Sequence, residues 1–196
     1  MLRLYSPRAA ERILRRYGET IDAVAARYAL PGAVIRAILY QEITGIDLLD
    51  GVADALVQHN LRRGVRGPGR AQKSDSSTGY AQIYGFVAIH AINFAVERGL
   101  ATYAALGLPG DRQPDPENMA DLRFVWERLH REPAFNIECA ALNLLSAAQE
   151  VTGRIDFPGY SPEELKRIFT RYNGTVPHVT PYGEAAYRHY LRYQDA

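Results

Sequence analysis

Glu42 has the strongest positional case for chemistry in this chain. It stands three residues after Leu39, four after Ile38 and seven after Ile35. In a helix those positions share one face, so the carboxyl is carried on the side that buries the aliphatic chains. Burial disfavours the charged form and raises a carboxyl pKa, which suits a general acid working near neutral pH. The competing expectation is a Glu near a helix end that turns to solvent or pairs with Arg36. A second cluster runs Ser74-Asp75-Ser76-Ser77-Thr78-Gly79-Tyr80-Ala81-Gln82-Ile83. It sets hydroxyls, an amide and a carboxylate where they can hydrogen-bond a sugar or position a water, and Gly79 lets backbone approach a ligand closely. The same composition also suits capping and turn formation. A third, Arg171-Tyr172-Asn173-Gly174, carries an Asn-Gly pair of the kind that closes helices.

Other chemistries lack their residues. The chain has no H-E-x-x-H, C-x-x-C, G-x-x-x-x-G-K-[ST] or G-x-S-x-G pattern. His59, His90, His130, His178 and His189 are scattered without a ligand spacing, so neither a metal nor another cofactor is expected. The single Cys139 excludes an intramolecular disulfide framework. Arg62, Arg63, Arg66, Arg70 and Lys73 make one basic stretch, read either as a grip on an anionic polymer or as a solvated loop. Without interleaved aromatics, and with 23 basic residues against 22 acidic ones for a net charge of +1, no nucleic-acid partner is expected.

Helices must position these groups, because apolar residues recur at helical spacing and no segment alternates as a strand does. The expected class is all-α, as a single domain over residues 1–196 with its motif-bearing part at about 20–190. Helices are expected over Ala9 to Tyr17, from Thr20 as N-cap, and past Pro31 to a stop near Gly45. A shorter acidic helix or pair of turns follows from Asp47 to Gln58, then a long structureless connection from Asn60 to Gly79. Phe86 to Gly99, apolar nearly all round, reads as the central buried helix. Helices at Pro116 to His130 and Pro133 to Glu150 come next. Ser161-Pro-Glu-Glu opens another by cap, Pro and first-turn acids, and Tyr182 to Tyr193 closes the chain.

Taken in order, the motifs resemble those of lytic transglycosylases and goose-type lysozymes, within the lysozyme-like superfamily. Ala37-Ile38-Leu39-Tyr40-Gln41-Glu42 resembles the end of the helix that delivers their catalytic Glu. Ser77-Thr-Gly79-Tyr-Ala-Gln82-Ile83 is similar to their G-L-M-Q-[IV] segment. Asn136-Ile137 with Ala140 and Leu144 is similar to the N-I-x-x-G-x-x-Y-L helix, and Tyr172-Asn173-Gly174 to the A-Y-N-A-G turn. The resemblance implies a lysozyme-like fold with a groove for peptidoglycan glycan strands, in which Glu42 protonates the glycosidic oxygen of the MurNAc-GlcNAc β-1,4 bond. It further implies that Ser77, Gly79, Tyr80, Gln82 and Ile83 contact the sugar beside that bond, that Tyr172 holds the Glu42 carboxyl through its hydroxyl, and that Asn173 shapes the turn. Ile43 stands where the family has Ser, Tyr80-Ala81 where it has Leu-Met, and Ala140 and Asn143 where it has Gly and Tyr.

Inverting hydrolysis needs a second carboxylate to activate water. Asp75, four residues before Gly79, is the candidate, because goose-type lysozymes also carry an Asp just before that Gly. Asp47, Asp50 and Asp54 are the other acids within reach of Glu42. With Asp75 present the expectation is a hydrolysing muramidase. The alternatives are a lytic transglycosylase that leaves 1,6-anhydro ends and a non-catalytic glycan-binding module. No apolar run is long enough to span a membrane, and Met1 to Arg8 lacks the apolar core of a Sec signal. Action in the periplasm or wall is therefore expected through a secretion system, as a phage endolysin or within a larger exported chain, with a delivery or immunity protein as partner.

Overall fold

A computed structural model describes residues 3–67, 69, 72–109 and 112–194. Among them lie nine α-helices: α1 (Pro7–Arg16), α2 (Gly18–Arg27), α3 (Gly32–Gly45), α4 (Leu48–Arg63), α5 (Gly85–Glu97), α6 (Met119–Arg131), α7 (Pro133–Thr152), α8 (Pro162–Asn173) and α9 (Pro181–Gln194). Extended pairing among the described residues is limited to two isolated bridges, Arg3 with Asp47 and Thr78 with Ile83. The chain is all-α, as expected.

Several helix ends are set by the side chains at them. Ser6 accepts the Ala9 amide at 3.2 Å ahead of Pro7 at the start of α1. Ser161 and Glu164 cap α8 reciprocally, with Pro162 as its first residue. Two boundaries differ from expectation. Thr20 caps nothing, because α2 already begins at Gly18 and Tyr17 serves both as the end of α1 and the start of α2. The acidic helix expected to end at Gln58 continues to Arg63, taking the first residues of the segment expected to be structureless. Asp47 and Asp50 form its capping box, Val57 and Leu61 stay buried one turn apart, and Gly64 closes it at φ +64°. Burial of that apolar pair and a left-handed Gly cap outweigh the loop-like composition around them.

The central helix is α7, not the Phe86 to Gly99 segment. Helix α7 buries Phe135, Ile137, Leu142, Leu144 and Leu145 and packs on α2, α3, α5, α6 and α8. Helix α5 buries Ala88, Ile89, Ile92 and Ala95 on one side and leaves Phe86 and His90 exposed on the other. The apolar stretch looked buried all round because Phe86 is apolar yet faces solvent. Buried side chains from α1 to α9 join in one apolar cluster.

Helix α9 lies against both α3 and α8. A Cβ at Gly183 would sit 2.1 Å from Thr170 Oγ1 and 2.4 Å from the Lys166 carbonyl oxygen, so a larger residue would push α9 off α8. Thr170 Oγ1 also accepts the Thr180 amide at 3.1 Å, and Lys166 pairs with Glu184 at 3.0 Å. This close crossing carries Tyr182 onto the C-terminal half of α3, where Glu42 stands. No helix among the described residues is long and apolar enough to cross a membrane.

Candidate functional site

A groove of about 860 Å³ opens where the C-terminal half of α3 meets the start of α4, the turn at residues 77–83, the first turns of α5, the later half of α7 and the end of α8. Glu42 lines it. The Tyr182 hydroxyl donates to Glu42 Oε1, joining the first residues of α9 to the last turn of α3. Burial pushes the Glu42 pKa up to about 7; the Tyr182 hydrogen bond pulls against that rise and the nearby Asp50 charge adds to it. The carboxyl therefore holds its proton up to neutral pH while facing open volume. Arg36 pairs with Asp22 at 2.7 Å, so the alternative pairing of Glu42 with Arg36 is not formed.

The expectation that Tyr172 holds Glu42 needs correction. The Tyr172 hydroxyl donates to the Ala81 carbonyl at 2.8 Å, tying the end of α8 to the turn at residues 77–83, and Tyr182 takes the place beside Glu42. The reason is geometric: the turn's carbonyl lies within reach of Tyr172, and the α8–α9 crossing delivers a second tyrosine to the acid.

That turn is built by backbone and amide bonds. Thr78 and Ile83 exchange backbone hydrogen bonds of 3.1 and 3.2 Å. Asn136 on α7 accepts the Ala81 amide at 2.8 Å and donates to the Thr78 carbonyl at 3.1 Å. Gly79 has φ +71°, and a Cβ there would lie 2.3 Å from Asn136 Nδ2, so only glycine allows the clamp to close. Gln82 adopts φ +46°, a left-handed backbone uncommon for a residue with a side chain. Its amide accepts the Ser77 hydroxyl at 3.2 Å and donates to the Gly79 carbonyl at 2.9 Å.

Ser77, Gln82, Ile83, Tyr172 and Asn173 all line the groove with Glu42. Gly79 and Tyr80 do not; they face a separate cavity of about 280 Å³ on the far side of the turn. The Tyr80 ring packs edge-on to Tyr5 and tilted on Tyr17, at centroid distances of 6.4 and 5.7 Å. Their expected contact with a sugar beside Glu42 is thus replaced by packing that anchors the turn to the N-terminal helices.

Asp75 is also placed differently from expectation. Its two oxygens accept the Gly85 and Phe86 amides at 2.8 and 2.9 Å, capping the otherwise uncapped start of α5, and it does not line the groove. Burial raises its pKa to about 6, with both amide bonds and the Ser76 amide pulling the other way. With both oxygens engaged by backbone, Asp75 is a helix cap and not a water-activating base. Of the acids downstream of Glu42, Asp47 and Asp50 reach the groove rim. Asp50 accepts the Asp47 amide at 2.8 Å through Oδ2 alone. Asp54 instead accepts the Ser76 and Thr78 hydroxyls at 2.8 and 2.7 Å, and Thr78 Oγ1 lies 2.9 Å from His130 Nδ1, so this acid ties α4 to the turn and α6.

The basic stretch is partly paired. Arg66 meets Glu117 at 2.9 Å, the Lys73 ammonium lies 5.5 Å from the centre of the Tyr84 ring, and Arg62 and Arg63 are exposed in the last turn of α4; Arg70 lies outside the described residues. Among the described residues no group of three or more His, Cys, Asp or Glu is placed to hold a metal. Sequence reasoning did not single out Tyr182 or Phe86 at the site. Tyr182 is one of 13 Tyr in the chain, and only the α3–α9 contact distinguishes it. Compared with protein-family models, with curated proteins and with solved structures, the chain matches none.

Proposed function

We propose that this protein is a peptidoglycan glycosidase of lysozyme-like organisation that cleaves the MurNAc-GlcNAc β-1,4 bond, with Glu42 as general acid. The observation that carries the proposal is a carboxyl on the wall of a large groove whose pKa is raised to about 7. Glu42 gives its proton to the glycosidic oxygen as the C1–O bond breaks, and Tyr182 orients the carboxyl before transfer and stabilises the carboxylate afterwards. In the muramidase form of the reaction Asp50 activates the attacking water, since it lines the same groove and its charge acts on Glu42. The second reading, a lytic transglycosylase in which the muramic acid C6 hydroxyl attacks C1, is favoured by the capping role of Asp75, which leaves fewer free carboxylates than hydrolysis was expected to use. The wall compartment, where the substrate lies, is the place of action.

Digestion of purified sacculi, read by mass spectrometry of the released muropeptides, tests the proposal. Reducing MurNAc ends identify a muramidase and 1,6-anhydro ends a transglycosylase. No release by the wild-type protein, or undiminished release by Glu42→Gln, contradicts the glycosidase reading.

A further inference from the structure

Helix α4 turns its acids inward and its apolar and basic side chains outward. Its acidic residues are Asp50 and Asp54. Asp50 accepts the Asp47 amide at the helix start and lines the groove, while Asp54 is held by the Ser76 and Thr78 hydroxyls. On the other side Leu48, Val52, Ala55, His59 and Arg62 succeed one another at spacings of four and three residues, so they share one face, and all five are exposed. Leu49 and Arg63 flank that stripe. Leu48, Leu49 and Val52 are 52%, 63% and 66% exposed, and Leu4, 48% exposed, lies beside the same helix, where it lines a cavity with Gly51. Large apolar side chains gathered on a surface in this way mark a place of interaction.

Charge selects the partner. Arg66, just past the helix, is held by Glu117, but among the described residues neither Arg62 nor Arg63 has an acidic partner. The outward face of α4 therefore joins an apolar first half to a cationic last turn, with no carboxylate on it. A second copy of the chain fits this face poorly. In a parallel pairing Arg62 and Arg63 would meet their own counterparts, and in an antiparallel pairing they would lie on Leu48 and Leu49, with no acid on either face to neutralise them. An anionic bilayer surface suits both halves at once. Leucine and valine side chains enter the boundary between headgroups and acyl chains, and arginines reach the lipid phosphates from the same level.

We propose that the outward face of α4 docks on the surface of an anionic phospholipid bilayer, with Leu48, Leu49 and Val52 in the headgroup boundary and Arg62 and Arg63 on lipid phosphates. The docking involves neither the groove nor Glu42, so it stands or falls apart from the glycosidase reading. Co-sedimentation of the full-length protein with vesicles tests it, comparing phosphatidylcholine alone with an equimolar mixture of phosphatidylcholine and phosphatidylglycerol. Binding to the mixed vesicles is expected to be tighter by about 10-fold or more. Arg62→Gln with Arg63→Gln weakens it by about 20-fold, and Leu49→Ser with Val52→Ser by about 10-fold. Arg98→Gln with Arg167→Gln, which removes the same charge from exposed positions on α5 and α8, changes it by less than about 2-fold. In Leu49→Trp the emission of the new indole moves to shorter wavelength on adding mixed vesicles, a change that the buried Trp126 does not give. No sedimentation with mixed vesicles, equal losses in the two arginine pairs, or undiminished binding after Leu49→Ser with Val52→Ser overturns the docking. A dimer seen by light scattering without vesicles, and abolished by Leu49→Ser with Val52→Ser, gives the face to a second copy of the chain and overturns it as well.

Discussion

Glu42 and Asp75 are two acids that folding withdraws from water, and burial raises both, to about 7 and about 6. Their surroundings then separate them. Glu42 meets one tyrosine hydroxyl and faces the groove, while Asp75 has both oxygens turned to backbone amides at the start of a helix. A raised pKa is thus shared by a group free to deliver a proton and by a group fixed in a structural role. What distinguishes them is the direction of the carboxyl and the identity of its partners. The residues flanking the two acids do not reveal this, since both precede short polar or glycine-containing segments.

The comparison is broken most directly by replacing each acid with its amide. Glu42→Gln is expected to lower sacculus cleavage about 10³-fold, as loss of a general acid does, whereas Asp75→Asn is expected to stay within about 10-fold of wild type when initial rates of muropeptide release are compared. Equal losses would place both acids in the chemistry.

Stability separates the two next. Glu42 keeps a proton in the folded state up to about pH 7 that it releases near 4.5 when unfolded. Its favourable contribution is therefore fully present below pH 4.5 and is lost as pH rises through about 7. Glutamine has no such loss, so the stability of Glu42→Gln relative to wild type should be about 3 kcal/mol greater at pH 8 than at pH 4 in urea unfolding. Asp75→Ala, in contrast, leaves two helix-start amides unpaired and should cost about 1–2 kcal/mol at pH 7; Asp75→Asn, which retains one acceptor oxygen, should cost less.

The smallest effects sharpen the account of Glu42 itself. The Tyr182 hydrogen bond lowers its pKa and the Asp50 charge raises it. Tyr182→Phe should therefore move the alkaline limb of the activity profile to higher pH, and Asp50→Asn should move it to lower pH. Shifts in the same direction would show that these side chains do not act on Glu42 as the geometry indicates. If Asp50 also activates water, Asp50→Asn lowers the plateau as well as moving the limb.

Local chemistry made parts of this arrangement legible in the sequence. The burial of Glu42 follows from its register with Ile35, Ile38 and Leu39, all within one helix, and the start of α8 follows from Ser161, Pro162 and Glu164. Asn136 and Tyr172 were visible as parts of motifs, but their bonds to the turn at residues 77–83 join segments far apart in the chain. The same limit hid Tyr182, whose approach to Glu42 depends on how closely α9 packs on α8 at Gly183. The role of Asp75 is not legible in the sequence because an acid beside hydroxyls and a glycine is equally a catalytic group and a cap, and the amides that decide between them come from the helix that follows. The exposure of Phe86 is not legible either, because apolar composition does not tell a buried face from a groove wall.

Carboxyl NMR titration of the labelled protein, followed beside the pH dependence of muropeptide release, decides whether Glu42 is the general acid. The Glu42 carboxyl is expected to titrate near pH 7 and activity to fall above the same pH, with the resonance absent and the activity lost in Glu42→Gln. A Glu42 carboxyl that titrates near 4.5, or an alkaline limb that follows the Asp75 carboxyl instead, would exclude that role for Glu42.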